Sequence, residues 1–125
     1  MPTRRSAFHT LLDALVFNAQ VTSRNSGAVD CAGYRKFALY LEMLSAGLPT
    51  TIQFIPQFID DEGNWFDHLQ GLFASLYYED TVMTSTIREV FHGEVVGDSF
   101  RLRAVAVGSD ATNTFTITAK VRFQD

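Results

Sequence analysis

Apolar and polar residues alternate along most of this chain. A period of two belongs to strands, whose successive side chains point to opposite faces of a sheet. Tyr34–Leu44 sets Phe37, Leu39, Leu41 and Met43 against Ala38, Tyr40, Glu42 and Leu44. After a Ser-Ala-Gly-Leu-Pro break, Thr50–Ile59 sets Ile52, Phe54, Pro56 and Phe58 against Thr51, Gln53, Ile55, Gln57 and Ile59. Pro56 has no amide proton for a ladder, which predicts an edge strand or a bulge there. Near the end come Thr86–Val96, a Gly97-Asp98 turn, Ser99–Val107, a Gly108-Ser109-Asp110 turn and Thr112–Phe123. The last alternates most cleanly, with Phe115, Ile117, Ala119, Val121 and Phe123 opposite Thr114, Thr116, Thr118, Lys120 and Arg122.

Two regions read less plainly. In residues 7–22, Phe8, Leu11, Leu12, Leu15 and Val16 fit a short helical face, whereas Leu15, Phe17, Ala19 and Val21 alternate. The alternation predicts a strand over Ala14–Ser23, preceded by an arm or another short strand, then a turn at Arg24-Asn25-Ser26-Gly27 and a short strand or extended connection at Ala28–Ala32. Trp65–Tyr78 fits either a helical turn or a strand near Leu72–Tyr78, and Thr81–Thr86 reads as a loop. About seven or eight short strands with turns between them predict an antiparallel β-sandwich of jelly-roll type. Residues 1–13 form its N-terminal arm and residues 14–125 one sandwich domain. Phe37, Leu39, Leu41, Ile52, Phe54, Phe100, Leu102, Phe115, Ile117 and Val121 are the expected core.

Composition narrows the classes. A length of 125 residues fits one domain that hides roughly two-thirds of its extended surface. A hydrophobic share of 46%, with 11 Phe, excludes a disordered chain and favours sheets and partner surfaces. A net charge of -4 speaks against nucleic acid as a partner, since only Arg101/Arg103 and Lys120/Arg122 recur at strand spacing. The single cysteine, Cys31, forbids an intrachain disulfide and a Cys-based zinc site, which fits a reducing cytoplasm. Met1–Phe17 has a basic pair before an apolar stretch, but His9, Thr10 and Asp13 interrupt it, so a soluble, unprocessed chain is expected. No run is long enough to span a membrane.

Candidate chemistry is sparse. Asp60, Asp61, Glu62, Asn64 and Asp67 offer calcium-type oxygens, yet their spacing is not that of an EF-hand, and Gly63 makes a polar hairpin the better reading. His9, His68 and His92 show no metal-ligand spacing. Cys31 reads as a small buried hydrophobe rather than as a thiol nucleophile. No GxSxG, GxGxxG or phosphate-binding loop occurs. Glu79-Asp80 beside Tyr77-Tyr78 reads as a solvated loop rather than a sugar cleft. Trp65 beside Phe66 is either a platform for sugar rings or a core anchor, and the anchor is preferred. The Thr114/Thr116/Thr118 ladder is either a solvent face or a subunit contact. No catalysis, metal or cofactor is expected.

The order of a Gly33-Tyr34 opening, a Leu39-Tyr40-Leu41 strand, Pro49-Thr50, a second strand and then Glu62-Gly63-Asn64-Trp65 resembles small virion proteins of tailed bacteriophages. Phe100-Arg101-Leu102-Arg103, the Gly turn and Thr112–Phe123 resemble the second half of such proteins. The likeness covers residues 14–123 and departs from the pattern in the longer Leu69–Thr86 region and in the Met1–Thr10 arm. It implies a β-sandwich head protein of the capsid decoration or cement type. Such a protein has no active site, binds the major capsid protein and sits on the capsid surface after assembly in the host cytoplasm. A neck or tail protein is the near alternative, and a carbohydrate-binding sandwich the alternative of another class.

The expected partner contacts are Arg4, Arg5, Phe8 and His9 on the arm and Thr114, Thr116 and Thr118 on the last strand. An arm gains order by lying on a neighbouring subunit, so a homo-dimer or homo-trimer is expected. Deleting residues 1–10 is then expected to weaken assembly without unfolding the sandwich.

Overall fold

The computed structural model describes residues 6–47, 51–68 and 86–125, and the backbone of 76–79. Every regular element among them is a strand. In chain order these are β1 (Ser6–Phe17), β2 (Ser23–Asn25), β3 (Val29–Asp30), β4 (Lys36–Ala46), β5 (Thr51–Ile59), β6 (Trp65–Asp67), β7 (Leu76–Glu79), β8 (Ile87–Glu94), β9 (Ser99–Val107) and β10 (Thr114–Gln124).

One sheet runs β1-β10-β4-β8, and the other runs β2-β9-β5-β6 with β3 also on β9 and β7 also on β5. All pairings are antiparallel. β2 with β3, and β6 with β7, act as interrupted single strands, because each pair shares one neighbour. The chain then forms one long antiparallel ribbon, in which β1 lies on β10, β2/β3 on β9, β4 on β8 and β5 on β6/β7. Wrapping that ribbon places its strands in the two sheets of a jelly roll. The expected fold class is therefore the observed one.

Alternation explains the core. All ten expected core residues are buried, together with Phe17, Met43, Phe58, Ala104, Ala119 and Phe123. At one end the rings interlock. Phe100 lies 5.4 Å from Phe37, 5.3 Å from Phe58 and 5.6 Å from Phe123, and so ties β9 to β4, β5 and β10. Such tilted and edge-on pairs contribute beyond the burial of their area.

Three expectations need correction. The arm assigned to residues 1–13 is strand from Ser6 onward, and Ser6–Phe17 pairs with Phe115–Gln124. Register shifts between Thr10 and Leu12, and between Leu12 and Leu15, each insert one residue opposite β10. Inward side chains thus run Ala7, His9, Leu12, Leu15, Phe17, switching parity twice, and this removes the period-two signature from the sequence. Ala14, at the second bulge, takes a positive φ of 47°, and its N–H donates to Thr118 Oγ1 at 3.0 Å. Arg4 and Arg5 lie outside the described residues.

The expected turn at Arg24–Gly27 is mostly β2 and its continuation. Ser26 N donates to the Leu102 carbonyl at 2.8 Å, and Leu102 N donates to Ser26 Oγ at 2.8 Å. A serine side chain thereby closes the ladder where the main chain leaves it.

Pro56 sits in an interior strand, opposite Leu102 of β9. Its other side falls between the β7 pairing, which ends at Phe54, and the β6 pairing, which begins at Gln57. The Pro56 carbonyl accepts from His68 N at 2.8 Å, so its proton-free nitrogen faces this same gap. The expected strand or helical turn at Trp65–Tyr78 is two strands, β6 and β7; residues 69–75 and most of the expected 81–86 loop lie outside the described residues.

Candidate functional site

The outer face of the four-stranded sheet collects most of the residues marked as partner contacts. Register defines its rows: Phe8–Arg122–Ala38–His92, Thr10–Lys120–Tyr40–Val90, Thr118–Glu42–Arg88 and Val16–Thr116–Leu44. Thr114, opposite Ala46, closes the column of threonines down the middle. One end of the face is aromatic, because the Phe8 and Tyr40 rings lie 6.2 Å apart and the Arg122 guanidinium sits 5.4 Å from the Phe8 centroid. The other end is aliphatic.

Four large apolar residues stay open there: Phe8 at 50%, Val16 at 41%, Leu44 at 42% and Val90 at 49% exposure. An apolar face mixed with threonines and flanked by an Arg–Glu pair (Arg88 to Glu42, 3.6 Å) has the make-up of a protein contact rather than of a catalytic cleft. Phe8 and the threonine column therefore share one surface. His9 does not join them, because strand alternation turns it inward, with its ring 5.9 Å from Phe123. Tyr40 and Leu44 were missed as contact residues, though alternation placed them on the polar side of β4; Val16 and Val90 join the face through register.

The remaining candidates resolve into structural roles. Asp60 Oδ1 accepts from Glu62 N at 2.9 Å and Asn64 N at 2.8 Å, and Gly63 takes a φ of 88° to close the hairpin. These bonds, the Asn64 amide first, hold the Asp60 carboxyl below its usual range. Among the described residues no three His, Cys, Asp or Glu side chains converge as a metal site. The fully buried Cys31 donates through Sγ to the Gly97 carbonyl at 3.2 Å. Burial, reinforced by Asp30 and Asp98, pushes its thiol up to about 12, so it stays protonated and is not a nucleophile at neutral pH.

Trp65 is a correction. It is half-buried on the outer face of the other sheet, not between the sheets, because its partner Ile59 has outward parity. The Arg101 guanidinium lies 4.4 Å from its ring centroid. Arg101 Nε also donates to Gln57 Oε1 at 2.8 Å, and Gln57 Nε2 donates to Asp67 Oδ1 at 2.8 Å. The Arg101 guanidinium thus covers one face of the indole.

At the end of the sandwich an open cleft is lined by Phe58, Ile59, Phe66, His68 and Val96. His68 packs 5.5 Å from both Phe37 and Phe58, and its Nδ1 is buried without a partner among the described residues. Burial pushes this imidazole below its ordinary value, against the opposing pull of the Glu94 main chain and carboxylate.

No protein-family model matches the sequence, and no curated protein does. Solved structures do match. A structure of the infectious bursal disease virus Gx strain superposes over 98% of this chain with a TM-score of 0.72 at 10% identity. The VP2 subviral particle of infectious bursal disease virus superposes over 97% with a TM-score of 0.56, also at 10% identity. In each case this chain spans about a third (32%) of the other chain. The SPBc2 prophage-derived protein YomS matches over 100% of this chain and 97% of its own, with a TM-score of 0.51 at 14% identity. These likenesses establish a shared fold, found in a viral particle and in a prophage-derived protein.

Proposed function

We propose that this chain is a non-enzymatic structural protein of a phage virion, of the decoration or cement type, which binds the major capsid protein on the outside of the head. The carrying observation is that almost the whole chain is one jelly roll similar to a viral-particle fold and, over nearly equal length, to a prophage-derived protein. The outer face of β1-β10-β4-β8 supports the same reading. Phe8, Val16, Leu44 and Val90 expose apolar area that a freely soluble domain has no reason to keep. Phe8, Thr114, Thr116 and Thr118 are the proposed contacts with the head, preceded in sequence by Arg4 and Arg5.

Quantitative mass spectrometry of purified particles tests this reading. Copies in proportion to the capsid protein are expected. A few copies per particle would move the chain to the neck or tail, and absence from particles would overturn the virion reading. Phe8→Ala together with Leu44→Ser should lower occupancy while leaving the sheet-dominated circular dichroism unchanged.

A further inference from the structure

We propose that β8 is a self-pairing edge, through which two copies of this chain join into one continuous eight-stranded sheet about a twofold axis at Phe91. This deepens the assembly reading above by naming the contact between copies.

β8 ends its sheet, with β4 on one side and no strand on the other among the described residues. Its hydrogen-bonding polarity follows from one bond. Val95 N donates to the Arg35 carbonyl at 2.8 Å, which extends the β4–β8 ladder one pair beyond Lys36↔Glu94. Bonded and non-bonded pairs alternate in an antiparallel ladder, so Gly93, Phe91 and Glu89 turn their main chains toward β4. Arg88, Val90, His92 and Glu94 turn theirs outward. Two β8 strands can therefore pair only in registers that match outward residues with outward residues.

Charge and shape choose among those registers. With Phe91 on the twofold axis, Arg88 of each copy faces Glu94 of the other, Val90 faces His92, and inward Glu89 faces Gly93. The two Phe91 rings meet at a non-bonded position, where cross-strand side chains approach most closely and aromatic pairs gain most. Val90 and His92 are the outward residues on either side of that axis. The central ladder therefore consists of four main-chain bonds exchanged between Val90 and His92. Sliding by one allowed step in one direction sets Arg88 against His92 and strands Glu94. Sliding in the other direction sets His92 against itself and Val90 against Glu94. Of these three registers, only the Phe91-centred one sets Arg88 against Glu94 on both sides of the axis. The exposure of Val90 at 49% and of the Arg88 side chain at 70% leaves this edge open to a partner strand.

Sedimentation equilibrium of the purified chain tests the proposal without any virion. A monomer–dimer equilibrium is expected. Arg88→Glu and Glu94→Arg should each weaken it by about tenfold or more, since two attractive cross-strand pairs become repulsive. The double variant, with the charges swapped, should restore wild-type affinity within a few-fold. Val90→Pro removes an outward N–H that β4 does not use, and should give a folded monomer. A chain that stays monomeric at its solubility limit, or forms a trimer, overturns the proposal. So does a dimer indifferent to Arg88→Glu and Val90→Pro, or single losses that the double variant fails to rescue. A monomer found in many copies on particles would sink the self-pairing alone, whereas a β8 dimer absent from particles would sink only the virion reading.

Discussion

Ser26→Ala tests a buried bond that the sequence hides. The residue is buried, at 7% exposure, and its Oγ accepts from Leu102 N at 2.8 Å inside the sandwich wall. Leu102 itself is fully buried on β9, so the loss of this acceptor falls on a donor inside the sandwich wall. Alanine keeps the reciprocal bond from Ser26 N to the Leu102 carbonyl and removes the hydroxyl, together with its longer 3.2 Å donation to the Gly27 carbonyl. A buried donor left without an acceptor costs about 1–3 kcal/mol, whereas a net protein hydrogen bond is worth about 1 kcal/mol. A chain of 125 residues unfolds with an entropy of about 2.1 cal/mol/K per residue. The melting temperature should then fall by about 4–11 °C. Thermal denaturation by circular dichroism measures this, with urea titration as the independent check. Ser26→Thr, which retains the hydroxyl, should recover part of the loss. A fall below about 2 °C, with unchanged denaturant dependence, would mean that the Leu102 amide has another acceptor, and the account of this ladder would be wrong.

Two further outcomes follow from the same geometry. Relative to a chain lacking residues 1–5, deleting residues 1–10 strips Ser6–Thr10 from β10 beside the fully buried Val121 and Phe123 and should cost a further amount of about 1.5–3 kcal/mol; equal melting temperatures for the two truncations would restore the arm assignment. His68 has a folded-state pKa below its unfolded value, so the unfolded chain binds more protons between the two and stability should rise with pH up to about 6.5; His68→Gln should flatten that rise in urea midpoints measured across the window, and an unchanged slope would refute the assignment.

What was legible in the sequence depended on whether alternation ran unbroken. β4, β5, β9 and β10 keep one parity throughout, so their inward residues and the fold class could be read directly. β1 alternates just as strictly in space, but two inserted residues invert its parity at Leu11 and Ala14. The string Phe8, Leu11, Leu12, Leu15, Val16 consequently imitates a helix and then an arm. Trp65 failed for another reason. Its size argued for the core, but β6 is three residues long, and only its pairing with Ile59 reveals which way the indole faces. The threonine column was visible as a face, whereas its apolar neighbours Val16 and Val90 come from strands far apart in sequence. Register brings them together, and no local pattern contains register.

The contrast between the two outer faces carries the functional reading furthest. On the six-stranded sheet, Arg101 covers Trp65 and bonds Gln57, which bonds Asp67, so the polar groups at its centre satisfy one another. Val107 is exposed at the end of β9, while Phe66, opposite the inward Phe58, lies with the exposed Val96 in the cleft at the end of the sandwich. The four-stranded sheet has no such closure. Phe8 and Tyr40 gather at one end of its outer face, Val16 and Leu44 at the other, and Val90 on the edge strand joins that face to the β8 rim. Four of the seven exposed large apolar residues among those described share this outer face, which supports the proposed docking side. The same sheet ends in a strand whose charges match their own reversal. The proposed docking face and the proposed self-pairing edge point in different directions, so the two proposals are compatible in one copy. Two-sided attachment of that kind raises effective affinity without stronger single contacts, which is what a protein bound in many copies to a lattice requires.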